Sequence, residues 1–396
     1  MQEKTPLRKK LSVAAYLGFH ILLVSAAVAW GAVRFQAWEA QKQLPQVRRD
    51  PIKVTPLYDR PEIVSDEDLA SVLNRLRPQF RGKTPRINHV DHALRFWGIE
   101  ADFEDEQSLS GIEMRDLLLD HRRFNQAWGA ESKPLLVQNK YGIKPRVKQG
   151  LASSSHEDHT LATLAEVGTP ADYPVVTPNG ETTLAALIQE ALSSFSLNQK
   201  EYEWSTLVFA LYLNTPKAWM TTEGQLVDFN LISERIMRQK PTKGVCYGNH
   251  RLHALVMLLR VDEQTPILTA QGRNKIIQYL KNITQLLVRT QSKEGYWDKN
   301  WDGSKLDLST EKLFTPRSRR ILATGHPMEW WALAPEEVLP PEETLQKAGH
   351  WLIKSIKQMP ESEIKNSFTF LSHAGRALAL WRGKFPYQVD LPQSGN

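Results

Sequence analysis

Four places in the 396-residue chain set a histidine three residues ahead of a second polar group: His156-x-x-His159, His250-x-x-His253, His326-x-x-Glu329 and His373-x-x-Arg376. On a helix that spacing puts both side chains on one face. The residue types suit acid–base work. Imidazole takes and gives protons near neutrality, a carboxylate orients it, and a guanidinium holds an anionic group. In each segment a loop of small residues hands over to an apolar run, which places the histidine in the first turn of a helix. Helices entering from one end would bring the four histidine pairs to a single central cavity. The only cysteine, Cys246, stands four residues before His250. Thiolate and imidazole are zinc ligands, and a catalytic zinc takes three protein ligands and keeps one position open. Cys246, His250 and His373 would form such a set, so zinc is admitted as a cofactor, though none is required. A plainer account stands beside these: histidines at helix starts cap helices or sit as satisfied buried polar groups, and cysteine is among the most readily buried residues. Trp297, Trp301, Trp330 and Trp331 then read as core or cavity wall.

The elements that must position these groups are helices. Ser65 or Asp66 caps a first helix carrying Leu69, Val72, Leu73 and Leu76, and helical patterns follow near residues 89–97 and 112–128. After a Pro- and Lys-rich connection at about 130–150, read as a surface loop, amphipathic patterns alternate with turn-rich loops. They fall near 156–167, 182–195, 204–213, 228–238, 250–260, 275–290, 327–333, 344–356 and 372–381. In the longest, Ile276, Leu280, Ile283 and Leu287 share one face at helical period. No run alternates as a strand does. The expected class is all-α. About a dozen helices are enough for six hairpins closed into an α/α toroid, its inner helices buried on both faces and its outer ones on one.

A repeat supports the ring. Gln291, Gly295 and Trp297 form Q-x3-G-x-W, and Gln239, Gly244 and Cys246 form Q-x4-G-x-C about 50 residues upstream, one hairpin's length. This resembles the QW-type repeats of terpenoid cyclases and protein prenyltransferases, which implies an α/α toroid. In that arrangement Gln ends an outer helix, Gly caps it and an aromatic plugs the gap between hairpins. Neither a D-x-D-D nor a D-D-x-x-D motif is present, which argues against terpenoid chemistry. The segment GHPMEWWAL resembles the G-H-x-x-E-W segment of N-acylglucosamine 2-epimerase-like barrels. That resemblance implies a carbohydrate epimerase or isomerase, or a lyase-like enzyme, with His326 as proton carrier, Glu329 as its partner and His250 or His373 opposite. The CYG at Cys246 is similar to the W-C-Y-G segment of lanthipeptide cyclases, which implies zinc at that cysteine. Ser372 and Val245 depart from that family's pattern.

The N-terminus supplies an address. Basic residues 1–10, with Lys4, Arg8, Lys9 and Lys10, precede an uncharged run at 11–33, long enough as a helix to cross a hydrocarbon core of roughly 30 Å. Positive charge before the span favours a cytoplasmic N-terminus and an exported body, periplasmic or extracellular. The competing reading is a signal peptide with an Ala27-Val28-Ala29 cleavage site. Residues 34–64, with Pro45, Pro51, Pro56 and Pro61, read as a tether, and 65–396 as the toroid domain. One cysteine excludes an intrachain disulfide. The net charge of +6 is spread out, and Arg317 to Arg320 reads as a solvated loop, so nucleic acid is not an expected partner. The expected partners are the membrane, through 11–33, and a glycan or small molecule. The expected function is acid–base chemistry on carbohydrate; a non-catalytic binding or scaffold module is the alternative and a zinc-dependent enzyme the third reading.

Overall fold

The computed structural model describes residues 6–41, 44–214, 218–305 and 314–391; Lys4 and tether residues 42–43 lie outside them. Among the described residues the chain forms fifteen α-helices. In order they are α1 (Pro6–Gln41), α2 (Asp66–Arg75), α3 (Ile87–Trp97), α4 (Gly111–Leu119), α5 (His121–Trp128), α6 (His159–Glu166), α7 (Leu184–Ser194) and α8 (Glu203–Tyr212). They continue as α9 (Phe229–Met237), α10 (Asn249–Gln264), α11 (Ala270–Thr290), α12 (Pro316–Trp331), α13 (Glu342–Lys357), α14 (Glu361–Asn366) and α15 (Phe368–Leu380). The sheet content is three antiparallel hairpins: Leu136–Gln138 with Ile143–Pro145, Pro174–Thr177 with Gly180–Thr183, and Trp219–Met220 with Leu226–Val227. The first lies inside the connection expected as a loop. The all-α class holds.

Two kinds of helix divide the body. α8 buries all 10 of its residues, and α3, α6, α10, α12 and α15 are buried over most of their length. α11 buries only the stripe Gly272, Ile276, Leu280, Ile283, Thr284 and Leu287, and α2, α9 and α13 are striped in the same way. The fully buried helices pack in a cycle. α3 lies on α6, α6 on α8, α8 on α10, α10 on α12, α12 on α15, and α15 returns to α3. The striped helices pack outside them: α4 on α3, α9 on α8, α11 on α10, α13 on α12 and α2 on α15. Burial explains the difference, since a helix enclosed by neighbours on every side has no face left for polar residues unless they pair with one another.

α12 and α15 make the most intimate contact in the cycle. A Cβ at Gly325 would lie 2.9 Å from Ala374 Cα, and one at Gly375 would meet Phe96 and Leu76. Gly325 lets the α12 and α15 backbones approach, which brings His326 and His373 together, and Gly375 makes room for the Phe96 and Leu76 side chains.

Two of the helix starts that differ from expectation bear on the histidines. α12 begins at Pro316 instead of residue 327, so Arg317 to Arg320 form its first turns and not a loop, and α15 begins at Phe368 instead of 372. Pro327 reads as a first-turn proline because that is where proline is best tolerated. Here buried Ile321, Leu322 and Ala323 carry the helix through it. The small residues around His373 serve close packing, not a turn.

At the N-terminus α1 extends to Gln41, past the expected end of the span at residue 33, and Ala15–Ala32 is apolar enough to cross a membrane or to serve as a signal sequence. Of the segment expected as a tether, residues 34–41 belong to α1, and from Leu44 onward the chain is largely extended and lies on the body. Arg48 N donates to Tyr212 O, Ile52 N to Leu211 O and Arg60 N to Trp381 O, while Tyr58 Oη donates to Ala334 O. Ile63 and Val64 are fully buried. The strap thus crosses the C-terminal ends of α8, α12 and α15.

Candidate functional site

Every helix of the cycle sends polar side chains to the centre: Asp91, His92 and Arg95 from α3, His159 and Glu166 from α6, Trp204 from α8, His250 and His253 from α10, His326 and Glu329 from α12, and His373 and Arg376 from α15. Buried polar groups at this density must satisfy one another.

They do so in two layers. In the first, Arg95 and Arg376 bridge Glu166 and Glu329. Arg95 donates to Glu166 from Nε at 2.9 Å and to Glu329 from Nη1 at 2.7 Å. Arg376 donates to Glu329 at 2.5 Å and to Glu166 at 3.1 Å. Two guanidinium and two carboxylate groups cancel in charge, and His253 Nε2 stands 3.2 Å from Glu166 Oε2. Burial alone would push both carboxyls up; Arg95 foremost, with Arg376 and a histidine on each, overrides it and holds them below the usual carboxylate range. The second layer is imidazole. Ring centroids are 3.8 Å apart for His326 and His373, 4.5 Å for His250 and His326, 5.1 Å for His250 and His373 and 5.3 Å for His92 and His373. His92 continues the chain to His159 at 4.9 Å, and Trp204 covers His159 and His250.

The hydrogen bonds fix tautomers. His373 Nδ1 lies 2.8 Å from Glu329 Oε2. A carboxylate only accepts, so Nδ1 carries the proton and Nε2 keeps its lone pair. His92 Nδ1 likewise donates to Asn88 O at 2.7 Å. His326 Nδ1 is 3.7 Å from Glu329 Oε2, beyond hydrogen-bond range, and the Nε2 atoms of His326 and His373 are buried with no partner among the described residues. Burial pushes the imidazoles of His92, His250, His326 and His373 below their ordinary value, which favours their neutral forms.

The sequence-derived residues fall as follows. His159, His250, His253, His326, Glu329, His373 and Arg376 come together. His156 lies at the periphery, bonded through Nδ1 to Glu201 at 2.9 Å and half-stacked on Trp204. His159 and His250 lead their helices, whereas His326 and His373 sit within theirs. The rings pack on one another instead of lining an open space. A cavity of about 380 Å³ reaches the first layer at Arg95, Glu166 and Arg376, from beneath the strap at Ile52 and Lys53. Cys246, His250 and His326 each place a ligand atom within 4.8 Å of the others, and so do His326, Glu329 and His373. His326, not His373, therefore completes the cysteine's group. Arg95, Glu166 and His92 escape a search for histidine-led helix starts, although His92-x-x-Arg95 repeats the spacing of His373-x-x-Arg376 and is the signal that would have found them.

The two glutamine turns diverge. Gln291 Nε2 donates to Gly295 O and to Thr344 O of the next outer helix, and Trp297 Nε1 donates to Leu287 O. Gln239 instead accepts from Arg251 Nη1 at 2.9 Å, and Cys246 turns toward the imidazoles.

Neutral buried histidines give a pH signature. Burial, with Arg86 beside it, pushes His89 down to about 4, and His92 lies well below its ordinary value. Such groups contribute stability that is complete above the unfolded-state value of about 6.5 and is lost as pH falls toward the folded-state value. The melting temperature is expected to hold from about pH 8 to 7 and to fall from about 6.5 to 4, with His89→Gln flattening the slope. A curve unchanged to about pH 5 in the parent chain would refute this.

No protein-family model matches the chain. Neither a curated protein nor a solved structure matches it.

Proposed function

We propose that the chain is a membrane-anchored enzyme whose exported body is an α/α toroid and whose centre moves protons on a carbohydrate. The cycle of six enclosed helices within striped ones supports the toroid. The basic N-terminus ahead of the apolar span supports the orientation. The observation that carries the chemistry is the Glu329–His373 pair: a carboxylate holds one imidazole nitrogen at 2.8 Å and leaves the other bare, and the neighbouring ring of His326, 3.8 Å away between centroids, has a bare Nε2 as well. An oriented neutral base facing a second imidazole is what proton abstraction and return beside a sugar carbonyl requires. In this reading His373 is the base, Glu329 orients it, His326 handles the proton on the other side, and Arg95 and Arg376 set the charge of Glu329. The likeness of GHPMEWWAL to epimerase-type barrels supports the substrate class.

A second reading is favoured by one observation. His250, His326 and His373 are each only 2 % exposed, as in a polar core that serves a binding scaffold. His373→Gln separates the two. The enzyme reading expects turnover, or solvent deuterium exchange beside the carbonyl of reducing sugars, to fall by about 10²–10⁴-fold at nearly unchanged melting temperature. A panel of sugars showing neither turnover nor exchange would sink the carbohydrate reading, and a variant that melts early but retains its rate would give the centre to the scaffold.

A further inference from the structure

We propose that Cys246 Sγ, His250 and His326 bind one divalent transition-metal ion of the zinc class. Three observations carry this independently of the acid–base reading. The first is the ligand set itself: one thiol and two imidazoles from three separate segments place a ligand atom each within 4.8 Å of the others. Zinc bonds of about 2.0–2.3 Å put tetrahedral ligand atoms roughly 3.5 Å apart, so no pair has to close by much more than about an ångström, a distance within reach of small side-chain rotations. The second is the orphaned Nε2 of His326, a buried nitrogen with no hydrogen-bond partner among the described residues. A buried nitrogen left without a partner costs free energy, and coordination through that atom would give it one.

The third is backbone. Cys246 and Tyr247 both adopt left-handed conformations, with φ of 48° and 57°, between Gly244 at 105° and Gly248 at 79°. Two successive non-glycine residues in that region hold a strained turn. The strain is held by specific contacts: Trp301 Nε1 donates to Tyr247 O at 3.0 Å and Asn249 Nδ2 to Cys246 O at 3.0 Å. A relaxed turn would serve if the thiol were only filling space. The equivalent turn at Gln291 ends on Trp297 as a buried plug, whereas this one delivers sulfur to the imidazoles. Three protein ligands would leave a position open on such an ion for water or a substrate oxygen, and the His373 ring packs against both ligand imidazoles, 5.1 Å from His250 and 3.8 Å from His326 between centroids.

The test uses the full-length chain in detergent, without substrate, so its outcome does not depend on any activity. Purified protein supplied with zinc is expected to hold about one equivalent, and less than about half would overturn the site. After exchange for Co²⁺, the thiolate-to-cobalt charge-transfer band in the near ultraviolet is expected. Cys246→Ser, a conservative change at a partly exposed residue, is expected to abolish the band, and His326→Gln to weaken metal binding by at least tenfold. Persistence of the band in Cys246→Ser would overturn the cysteine's role. His373→Gln is expected to keep the metal; losing it while His326→Gln retains it would overturn the ligand assignment. The parent protein's cobalt spectrum needs no variant, so a folding failure in one of them leaves the proposal testable. Loss of turnover in His373→Gln with full metal content would separate the proton-transfer reading from this one.

Discussion

Arg95→Met is expected to lower the unfolding free energy by about 3–5 kcal/mol, the range for stripping one partner from a buried ionic network. Among the described residues Arg95 alone has hydrogen bonds to both carboxylates and to a histidine: it bonds Glu166 through Nε and Nη2, Glu329 through Nη1 and His253 through Nη2, and its Nη1 lies 3.4 Å from His373 Nδ1. Its removal leaves two buried carboxylates to share Arg376, which already reaches both. One of them must then take up a proton or admit water, and either outcome forfeits the hydrogen bonds made to its charged form. Methionine preserves most of the volume, so the effect reports charge and not a cavity. The double change Arg95→Met with Glu329→Gln is expected to cost less than the sum of the two single changes, because the second removes the charge that the first strands. Arg122→Met, at an exposed pair with Asp120, is the control and is expected to leave the midpoint unchanged. Urea midpoints at constant slope measure all four. A drop below about 1 kcal/mol for Arg95→Met would show that water already screens the network.

The network also marks what the sequence could and could not carry. Helical period found α11 because Ile276, Leu280, Ile283 and Leu287 lie on the one face it buries, whereas α8 has no exposed face and announces itself only as an apolar run. The histidine pairs were legible because types at i and i+3 survive any error in the helix boundary. Their position along the helix was not, since Pro327 looks like the start of a helix, and the preceding turns from Pro316 show only in the structure. Arg95 was hidden for a related reason. An arginine between Leu94 and Phe96 reads as a solvated charge on an amphipathic helix, and only the closed cycle of neighbours turns its face inward to Glu166 and Glu329. The strap was hidden too. Its prolines suit a free tether equally well, and nothing in residues 44–64 tells that their amides pair with the ends of α8 and α15. Cys246 shows the limit most sharply, because the glutamine turn that carries it repeats in sequence while its hydrogen bonds do not.

The second large effect is expected at that turn. Gly248→Ala should cost roughly 3–4 kcal/mol, near the upper end for single substitutions, and should disable the cysteine's approach to His250 and His326. Two penalties add there. Gly248 has φ of 79°, which costs an L-residue about 1–2 kcal/mol. A Cβ in that conformation would lie 1.8 Å from Pro241 O, a backbone atom that cannot swing aside, and 2.9 Å from Arg251 Nη2. Arg251 in turn holds Gln239 and Lys240 O, so any shift in its guanidinium loosens the whole turn between α9 and α10. Gly168 isolates the clash, having the same φ of 79° with nothing within 4 Å of the added carbon. Gly168→Ala is therefore expected to show the conformational penalty alone, about 1–2 kcal/mol. The difference between the two variants measures the contact with Pro241, and the cobalt spectrum of whatever fraction of Gly248→Ala remains folded measures whether Cys246 still reaches the metal position. Equal destabilisation of the two variants would show that the turn yields without cost, and a turn so compliant could not be what holds Cys246 in its left-handed conformation.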